Sequence, residues 1–281
     1  MKKMMMWVSV VMMGAALLAG CGKKTENTGS QTGSKTESRT ADLKTNVSLQ
    51  NIKTSGILKV GTEAGFAPYE FIGDNGDIVG IDMDIARAVA DKLGVKLKIE
   101  SMTFDGALVA VQQGKIDLVL AGVSVDEERK KVMDFSDNYV DAKEVVVVNT
   151  KEQAVKAATG EGLKDKKVGV QRGNIADLWV SNADNTKPAE IIRYEKFAQA
   201  ATDLKNGKID AIVMDEAPAK ELVNATGGDL TIIEGEPLFV DQYAAAMQKG
   251  NSELAALVNE VIKELKDSGE FDKIVEKYSN K

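Results

Sequence analysis

Short apolar runs alternate with longer amphipathic segments throughout residues 52–281. The short runs end at glycine or polar residues, as buried strands do, and the longer segments show the spacing of helices. The predicted strands cover residues 57–62, 95–99, 116–120, 144–148, 167–171, 191–194, 209–214, 230–233 and 243–247. The predicted helices cover residues 82–93, 105–112, 126–130, 152–158, 175–182, 197–206, 217–224, 252–266 and 271–278. This alternation predicts an α/β fold with open, mainly parallel sheets covered by helices.

Two stretches of the chain repeat one another. Residues 104–120 read FDGALVAVQQGKIDLVL and residues 197–213 read FAQAATDLKNGKIDAIV, with the same Gly-Lys-Ile-Asp at the same distance from the Phe. KVGTE at residues 59–63 likewise has a counterpart in KVGVQ at residues 167–171. Because the spacing to the flanking features also matches, the repeat predicts two lobes of similar build.

The start of the chain has the pattern of a secretory leader. Lys2 and Lys3 precede an apolar run, which Leu-Ala-Gly-Cys ends at Cys21. This ending resembles the lipobox of bacterial lipoproteins, in which the cysteine becomes the lipidated first residue. We therefore expect a signal peptide over residues 1–20 and lipid on Cys21; a plain signal peptide is the alternative. Cys21 is the only cysteine, so its lipidation would leave no thiol for a disulfide.

Residues 21–51 and the overall charge narrow the function further. The segment after Cys21 is rich in Ser, Thr, Gly, Asn and Lys, which predicts a flexible linker from a membrane surface to the folded body. The formal charge is -7 for the whole chain and -9 once Lys2 and Lys3 are removed with the leader. An acidic body without a basic stripe argues against nucleic-acid binding and leaves cationic ligands open.

Residues 116–136, IDLVLAGVSVDEERKKVMDFS, form the most informative stretch. A predicted strand ends near Gly122, Ser124 is placed to cap an acidic helix start, and Arg129 would face back toward the strand end. Arginine is shaped for two parallel hydrogen bonds to a carboxylate, which indicates an anion site. The alternative is a solvated helix in which Arg129 is a surface charge.

Other strand ends supply complementary groups, and ligands of open α/β sheets bind beyond the carboxyl ends of strands. Asp215 could hold an ammonium group, and a helix start after Gln171 could offer free backbone N–H groups. Glu63 and Phe66 follow the first strand, and Phe104 begins a helix. Together these groups suit a zwitterionic amino acid. Each has a structural alternative: a helix cap for Asp215, core for the two phenylalanines, and a surface acid for Glu63.

Several kinds of chemistry are excluded or weakly indicated. The chain has no histidine and no phosphate-binding Gly-Lys-Ser/Thr loop, which argues against His-based triads, the usual zinc sites and nucleotide hydrolysis. Asp82 and Asp84 are interpreted as helix caps rather than paired catalytic acids. Asp-Asn-Gly-Asp at residues 74–77 predicts a hairpin turn rather than a calcium loop. We therefore expect no metal, no cofactor and no enzymatic activity.

Together these features resemble the polar amino-acid-binding proteins of ABC importers, an extracellular solute-binding family. The resemblance covers residues 57–278 and is most specific in GTEAGFAPYEF, GIDMDIARAVADKL and LAGVSVDEERKKVMDFS. It implies a periplasmic-binding-protein-like fold of type II, with two α/β lobes joined by a two-strand hinge. Lobe 1 would comprise residues 52–141 plus 243–281, and lobe 2 residues 142–242. The crossings would lie near residues 139–143 and 240–243.

The resemblance also implies how the two ends of the ligand are held. Arg129 matches the arginine that binds the ligand α-carboxylate, with Gly122 and Ser124 assisting. Asp215 matches the acid that binds the α-amino group.

For the ligand side chain, the resemblance implies an aromatic sandwich of Phe66 and Phe104, with Glu63 near the far end. The contact strip of the second lobe would consist of Gln171, Asn174 and Ile175. Family members commonly have two threonines after the glycine, whereas residues 173–175 read Gly-Asn-Ile and lack those hydroxyls.

The expected function is a substrate-binding lipoprotein that captures a polar amino acid and delivers it to an ABC permease. The aromatic pair with Glu63 favours arginine or lysine. Glutamine and cystine stay open, as do an enzyme and a sensory lipoprotein on the same scaffold. The expected location is the outer face of the cell membrane, lipid-anchored, in a Gram-positive-type bacterium.

Overall fold

The computed structural model describes residues 49–279, so the predicted leader, Cys21 and most of the predicted linker lie outside the described residues. The described elements, in chain order, are α1 (Leu49–Ser55), β1 (Ile57–Thr62), β2 (Gly65–Phe66), β3 (Glu70–Ile72), β4 (Ile78–Val79), α2 (Ile81–Leu93), β5 (Lys96–Ser101), α3 (Phe104–Gln112), β6 (Leu118–Val119), α4 (Glu127–Val132), β7 (Met133–Phe135), β8 (Val140–Asn149), β9 (Lys167–Gln171), α5 (Ile175–Ser181), β10 (Glu190–Tyr194), α6 (Phe197–Lys205), β11 (Ala211–Asp215), α7 (Glu216–Ala225), β12 (Leu230–Ile232), β13 (Phe239–Tyr243), β14 (Ala246–Gln248), α8 (Ser252–Asp267) and α9 (Glu270–Ser279). None of these helices combines the length and apolarity needed to cross a membrane.

Two mixed sheets organise these elements. The first has the strand order β5-β1-β6-β14-β7, and the second has β10-β9-β11-β8-β12 with β13 also paired to β8. Three neighbouring strands are parallel in each sheet, namely β5, β1 and β6 in the first and β10, β9 and β11 in the second. The strand that arrives from the other lobe, β14 in the first sheet and β8 in the second, pairs antiparallel with its neighbours. The sheets are therefore less uniformly parallel than the alternation of elements predicts. Strands β2, β3 and β4 form a small third sheet.

The α/β fold consists of two lobes, one around each main sheet, joined by two strands. Strand β8 enters the second sheet, and β13 returns from it toward β14 of the first. The two strands pair with each other antiparallel, from Phe239 opposite Glu144 to Tyr243 opposite Val140. The predicted lobe boundaries lie within β8 and at the end of β13, and stay a prediction. This paired ribbon joins the two lobes, which also contact one another directly. We call the boundary where the lobes face one another the gap.

The repeated Gly-Lys-Ile-Asp segment has one structural role in the first lobe. A side chain on Gly61 of β1 would come within 2.4 Å of Ile116 Cδ1, so glycine lets the isoleucine cover the strand. Asp117 Oδ2 accepts a hydrogen bond from Lys59 N at 2.7 Å, and Asp117 N donates to Lys59 O at 2.9 Å. The segment thus fastens the start of β6 to β1.

The second lobe repeats this arrangement. A side chain on Gly169 of β9 would come within 2.7 Å of Ile209 Cδ1. Asp210 Oδ2 accepts from Lys167 N at 2.8 Å, and Asp210 N donates to Lys167 O at 2.8 Å. The predicted repeat is therefore confirmed at the level of individual contacts.

One predicted helix is wrong, because residues 152–158 form neither helix nor strand. Asn149 Oδ1 accepts hydrogen bonds from the backbone N–H groups of Lys151 at 2.9 Å and Glu152 at 3.3 Å, which turns the chain at the end of β8. Val155 then packs into the core, with 1% of its surface exposed. The segment is an anchored loop.

Several other elements have bounds that differ from the predicted ones. The strand predicted at residues 243–247 is two strands, because Ala244 N donates to Val123 O and Ala245 N to the Ser136 hydroxyl between them. The strand predicted at residues 116–120 is reduced to β6. Helix α1 was not predicted, although Leu49 and the buried Ile52 have helical spacing. The predicted hairpin at residues 74–77 is confirmed by the antiparallel pairing of β3 with β4.

The repeat unit leads to a prediction about stability. Gly61→Ala places a methyl group against Ile116, so the overpacking should cost about 1–3 kcal/mol of unfolding free energy. Ile116→Val removes the obstructing Cδ1 atom and alone should cost about 0.5–1.5 kcal/mol. The double variant should be less destabilised than the sum of the two single variants in urea unfolding. A simple sum within about 0.5 kcal/mol would show that the two side chains do not interact.

Candidate functional site

Helix α4 positions Arg129 at the gap between the lobes. Its N-cap is Asp126, whose Oδ1 accepts hydrogen bonds from Glu128 N at 2.7 Å and Arg129 N at 3.0 Å. The prediction that Ser124 caps this helix is therefore wrong. The carboxylate is the better cap, because it accepts two N–H groups and carries the negative charge that a helix N-terminus favours.

Arg129 connects the two lobes. Its Nη1 donates to Ser124 O at 2.6 Å, and its Nη2 donates across the gap to Gly173 O at 2.8 Å. Its Nε lies 3.2 Å from Asp126 Oδ2, and only 6% of the residue is exposed. Burial lowers the pKa of Arg129, but a guanidinium stays charged in proteins. The alternative of a solvated surface charge is thus wrong.

Gly122 brings the backbone of the first lobe close to an aromatic ring. Its φ is +55°, and a side chain there would lie 2.8 Å from Phe66 Cε1 and 3.3 Å from Tyr243 Cε2. Its N–H donates to Asp82 Oδ2 at 2.9 Å. Glycine is required here by both the backbone conformation and the available space.

Asp82 supports this strand end, so its interpretation as a helix cap is wrong. The N-cap of α2 is Gly80. The Asp82 carboxylate instead accepts hydrogen bonds from the Gly122 N–H and from the Tyr139 hydroxyl, each at 2.9 Å. Burial raises the pKa of Asp82 to about 7. Asp84 lies at the surface side and pairs with Arg87 at 2.6 Å. The two aspartates therefore have separate structural contacts.

Three carboxylates meet where the joining strands pass the second sheet. They belong to Glu144 of β8, Asp215 at the end of β11 and Asp241 of β13, and one oxygen of each lies within 4.8 Å of the others. We call these residues the acidic trio. Glu144 and Asp215 are directly opposite one another in the antiparallel β8–β11 pair. The Tyr243 hydroxyl donates to Asp215 Oδ1.

The acidic trio is electrostatically unsatisfied. Glu144 and Asp215 are 0% and 1% exposed, and neither oxygen of Glu144 has a hydrogen-bond partner among the described residues. Burial raises the pKa of Glu144 well above its usual range and also raises that of Asp215. Burial and the Asp215 charge raise the pKa of Asp241 to about 7. Such a cluster favours a cation, either an ammonium group or a metal ion.

A second acidic site lies beyond β1. Glu63 is 2% exposed, so its interpretation as a surface acid is wrong. Its Oε2 accepts from Gln171 Nε2 of the other lobe at 3.2 Å, and its Oε1 lies 3.4 Å from Lys196 Nζ. Burial raises the pKa of Glu63, and Lys196 partly opposes the shift. Gln171 Nε2 also donates to Glu195 O at 3.0 Å.

The aromatic residues have partners other than each other. Phe66 stacks on Phe197 of the second lobe, with ring centroids 6.0 Å apart and planes inclined by 26°. Phe104 lies beside Arg129, whose Cζ is 5.7 Å from the centroid of its ring. Both phenylalanines are buried. The predicted sandwich of a ligand side chain between Phe66 and Phe104 stays a prediction.

In the contact strip of the second lobe, side chains of the same segment accept hydrogen bonds from the backbone N–H groups. Asn174 is the N-cap of α5, and its Oδ1 accepts from Ala176 N at 3.0 Å. Gly173 N donates to Asp177 Oδ2 at 3.0 Å. Two N–H groups that were expected to be free are thus occupied, while Ile175 is half-buried. Asn174 also lies near the Asp215 carboxyl, which brings the strip close to the acidic trio.

The sequence interpretation missed five residues at this gap. Lys196 and Phe197 follow the end of a predicted strand, so the rule used for the other strand ends would have found them. Acidic residues inside or beside apolar strands signal buried charge, which applies to Glu144 and Asp241. No local pattern marks Tyr243, which is found only through its contact with Asp215.

The predicted ligand-binding residues lie in three groups around the gap. One group surrounds Arg129, one surrounds the acidic trio with Asp215, and one surrounds Glu63 with Phe66. A guanidinium and a set of carboxylates thus approach the same space from different elements. Arg129 is close enough to Asp215 and Asp241 for each charge to influence the other. The arrangement can hold an anionic and a cationic group at the same time.

Comparison with known proteins agrees with this architecture. The profile of the bacterial extracellular solute-binding proteins, family 3, matches residues 58–281. The L-cystine-binding protein TcyJ of Escherichia coli (strain K12) is 32% identical over 231 residues, covering 82% of this chain and 85% of that protein.

Solved structures give the same result. Holo ArgBP from T. maritima is 42% identical with a TM-score of 0.73, covering 81% of this chain and 98% of that chain. The amino acid ABC transporter substrate-binding protein AbpA from Streptococcus pneumoniae, bound to L-arginine, is 37% identical with a TM-score of 0.73, covering 82% and 98%. The profile match and these shared two-lobe structures extend over most of the chain, which therefore belongs to the bacterial extracellular solute-binding proteins, family 3.

Proposed function

We propose that this chain is the substrate-binding protein of an ABC importer for a polar amino acid, with arginine or lysine preferred. The observation that carries the proposal is the pairing of a buried guanidinium with the acidic trio at one inter-lobe gap. A free amino acid carries one negative and one positive group on the same carbon. The gap offers the complementary charges in a place where closure excludes water.

The α-carboxylate would bind Arg129, which can exchange one of its carbonyl contacts for a carboxylate oxygen. Ser124 and the backbone at Gly122 line the same strand end. The α-ammonium would bind Asp215, with Glu144 and Asp241 adding negative charge. Because these groups come from both lobes and from the joining strands, a ligand that contacts all of them favours the closed arrangement.

The ligand side chain would extend toward Glu63 past Phe66. A buried carboxylate beside an aromatic ring favours a cationic end, by ion pairing and cation–π attraction of about 0.5–2 kcal/mol. ArgBP and AbpA, both similar to this chain over most of its length, support arginine in particular. Phe104 and the strip of Gln171, Asn174 and Ile175 would complete the walls.

Cystine is the second candidate, and one specific observation favours it. Glu63 and Lys196 present an acid and a base side by side, which is complementary to the second amino-acid head of cystine. TcyJ is similar to this chain over most of its length. Glutamine remains a further candidate, because its neutral amide can donate to Glu63.

The remaining assignments complete the proposal. Lobe 1 comprises residues 52–141 plus 243–281, and lobe 2 comprises residues 142–242. Cys21 carries lipid after removal of residues 1–20, so the protein is anchored at the outer face of the membrane of a Gram-positive-type bacterium, near its permease. The chain transports rather than transforms its ligand, and its lack of histidine removes the commonest general base.

Thermal shift with the free amino acids and cystine tests the proposal directly. A ligand at a hundred times its dissociation constant should stabilise the folded protein by about 2.7 kcal/mol. We expect the largest shift with arginine or lysine. A shift with cystine or glutamine alone would keep the importer function and replace the preferred ligand. No shift with any amino acid would contradict the proposal.

Arg129 provides a sharper test of the binding geometry. Arg129→Ala should weaken binding of every amino acid by about 2–5 kcal/mol, because the ligand carboxylate would be buried without its counter-charge. Arg129→Lys should recover part of the loss, since it keeps the charge without the paired N–H groups. Isothermal titration would measure both. Arg87→Ala is the control, because Arg87 pairs with Asp84 outside the gap; equal losses in the Arg87 and Arg129 variants would refute the assignment.

The acidic trio predicts a pH dependence of binding. Its raised pKa values mean that the ligand-free protein holds extra protons, which an incoming ammonium group must displace. Affinity should therefore fall as the pH decreases below about 7, by up to tenfold per pH unit for each proton released. Titration calorimetry in two buffers of different ionisation enthalpy would count the protons. Asp241→Asn should reduce that number; binding without proton release would contradict this role of the trio.

A further inference from the structure

Lys196 reaches across the gap to the acid that is proposed to bind the ligand side chain. Its Nζ lies 3.4 Å from Glu63 Oε1, and it is the cation paired with Glu63 among the described residues. Two neighbouring contacts hold the same segment against the first lobe. Phe197 stacks on Phe66, and Gln171 Nε2 bridges Glu195 O and Glu63 Oε2. The position of Lys196 is therefore fixed by its backbone and not by its own side chain.

Lysine is a poor choice for the local structure at this position. Lys196 is the N-cap of α6, where a side chain with an acceptor oxygen is preferred and a positive charge opposes the helix dipole. Its side chain makes no capping hydrogen bond, and Gln199 Oε1 instead accepts from Lys196 N at 3.1 Å. Because lysine is an unfavourable N-cap residue, its presence here indicates a role in a contact outside α6.

The two members of the ion pair differ in freedom. The Glu63 side chain is 3% exposed, whereas that of Lys196 is 50% exposed on a flexible stem. The contact of 3.4 Å is also longer than a strong charge-assisted hydrogen bond. Because half of its side chain is already exposed, Lys196 can move into solvent at a small cost in packing, while Glu63 stays in place and accepts another cation.

We propose that Lys196 is a specificity-determining residue, a tethered competitor that occupies Glu63 and must be displaced by the cationic side chain of a ligand. This inference rests on the proposed function and deepens it. A neutral ligand leaves the Glu63–Lys196 pair intact and pays no displacement cost. A cationic ligand forms an ion pair with Glu63 but breaks the Glu63–Lys196 pair. Lys196 therefore reduces the difference in affinity by which arginine and lysine exceed glutamine.

Removing the competitor should change the affinities unequally. Lys196→Met keeps the length of the stem and removes the charge. At slightly alkaline pH, which favours the charged form of Glu63, it should tighten arginine and lysine binding by the same factor of about two to five, the value of a partly exposed ion pair. Glutamine affinity should stay constant or fall. Titration calorimetry of all three ligands gives the ratio that a purely structural role would leave unchanged.

A second background tests whether Lys196 acts through Glu63. In Glu63→Gln the competitor has lost its partner, so adding Lys196→Met should no longer tighten arginine binding. Lys205→Met is the matched control, since it removes a lysine from the other end of α6 that pairs with Asp229. It should leave the ratio of arginine to glutamine affinity unchanged.

The outcomes separate this inference from the proposed function. Equal changes for arginine and glutamine in Lys196→Met, or weaker arginine binding, would overturn the competitor and leave amino-acid capture standing. Cystine is titrated alongside the three amino acids: weaker cystine binding in Lys196→Met without tighter arginine binding would also overturn the competitor, and would make Lys196 a carboxylate-binding residue instead. Failure of the unmodified protein to bind any amino acid would overturn the proposed function and this inference with it.

Discussion

The burial of three carboxyl groups together, where the two lobes are joined, is the constraint on which the rest of the structure depends. Glu144, Asp215 and Asp241 come from three paired strands, two of which connect the lobes. Like charges directly opposite one another in a sheet are destabilising, and burial of an uncompensated carboxylate costs several kcal/mol. Within the folded protein the raised pKa values, the Tyr243 hydroxyl and the nearby Arg129 reduce that cost. A bound ammonium group would reduce it further, which links folding stability to occupancy of the gap.

Local patterns predicted most of the fold because the chain obeys them consistently. The strands at residues 57–62 and 167–171 were predicted with their observed bounds, since each is a short apolar run ended by polar residues. The repeat was visible because the same glycine and aspartate contacts are used in both lobes. The helix predicted at residues 152–158 was wrong because side-chain hydrogen bonds of Asn149 override helix propensity.

Only those parts of the site that lie within a few residues of one strand end could be predicted from the sequence. Arg129 and Gly122 could be found because they follow one apolar run within a few residues. The partnership of Glu144 with Asp215 depends on the register between β8 and β11, and Asp241 is added by the β8–β13 register. Strand register over such sequence separations is decided by packing of the whole lobe. Lys196 and Glu63 likewise belong to different lobes, so their contact depends on how the lobes face one another.

The placement of the acidic trio on the joining strands has an evolutionary consequence. Where the ligand-binding residues lie apart from the strands that join two lobes, substitutions in one set leave the other set unchanged. Here Glu144 and Asp241 lie within β8 and β13, so under the proposed function two of the acids near the ligand ammonium group also belong to the ribbon that joins the lobes. A substitution of Glu144 or Asp241 would therefore change the ligand site and the connection between the lobes together, whereas Glu63 and Lys196 lie outside the ribbon and affect the lobes only through their contact with each other and with Gln171.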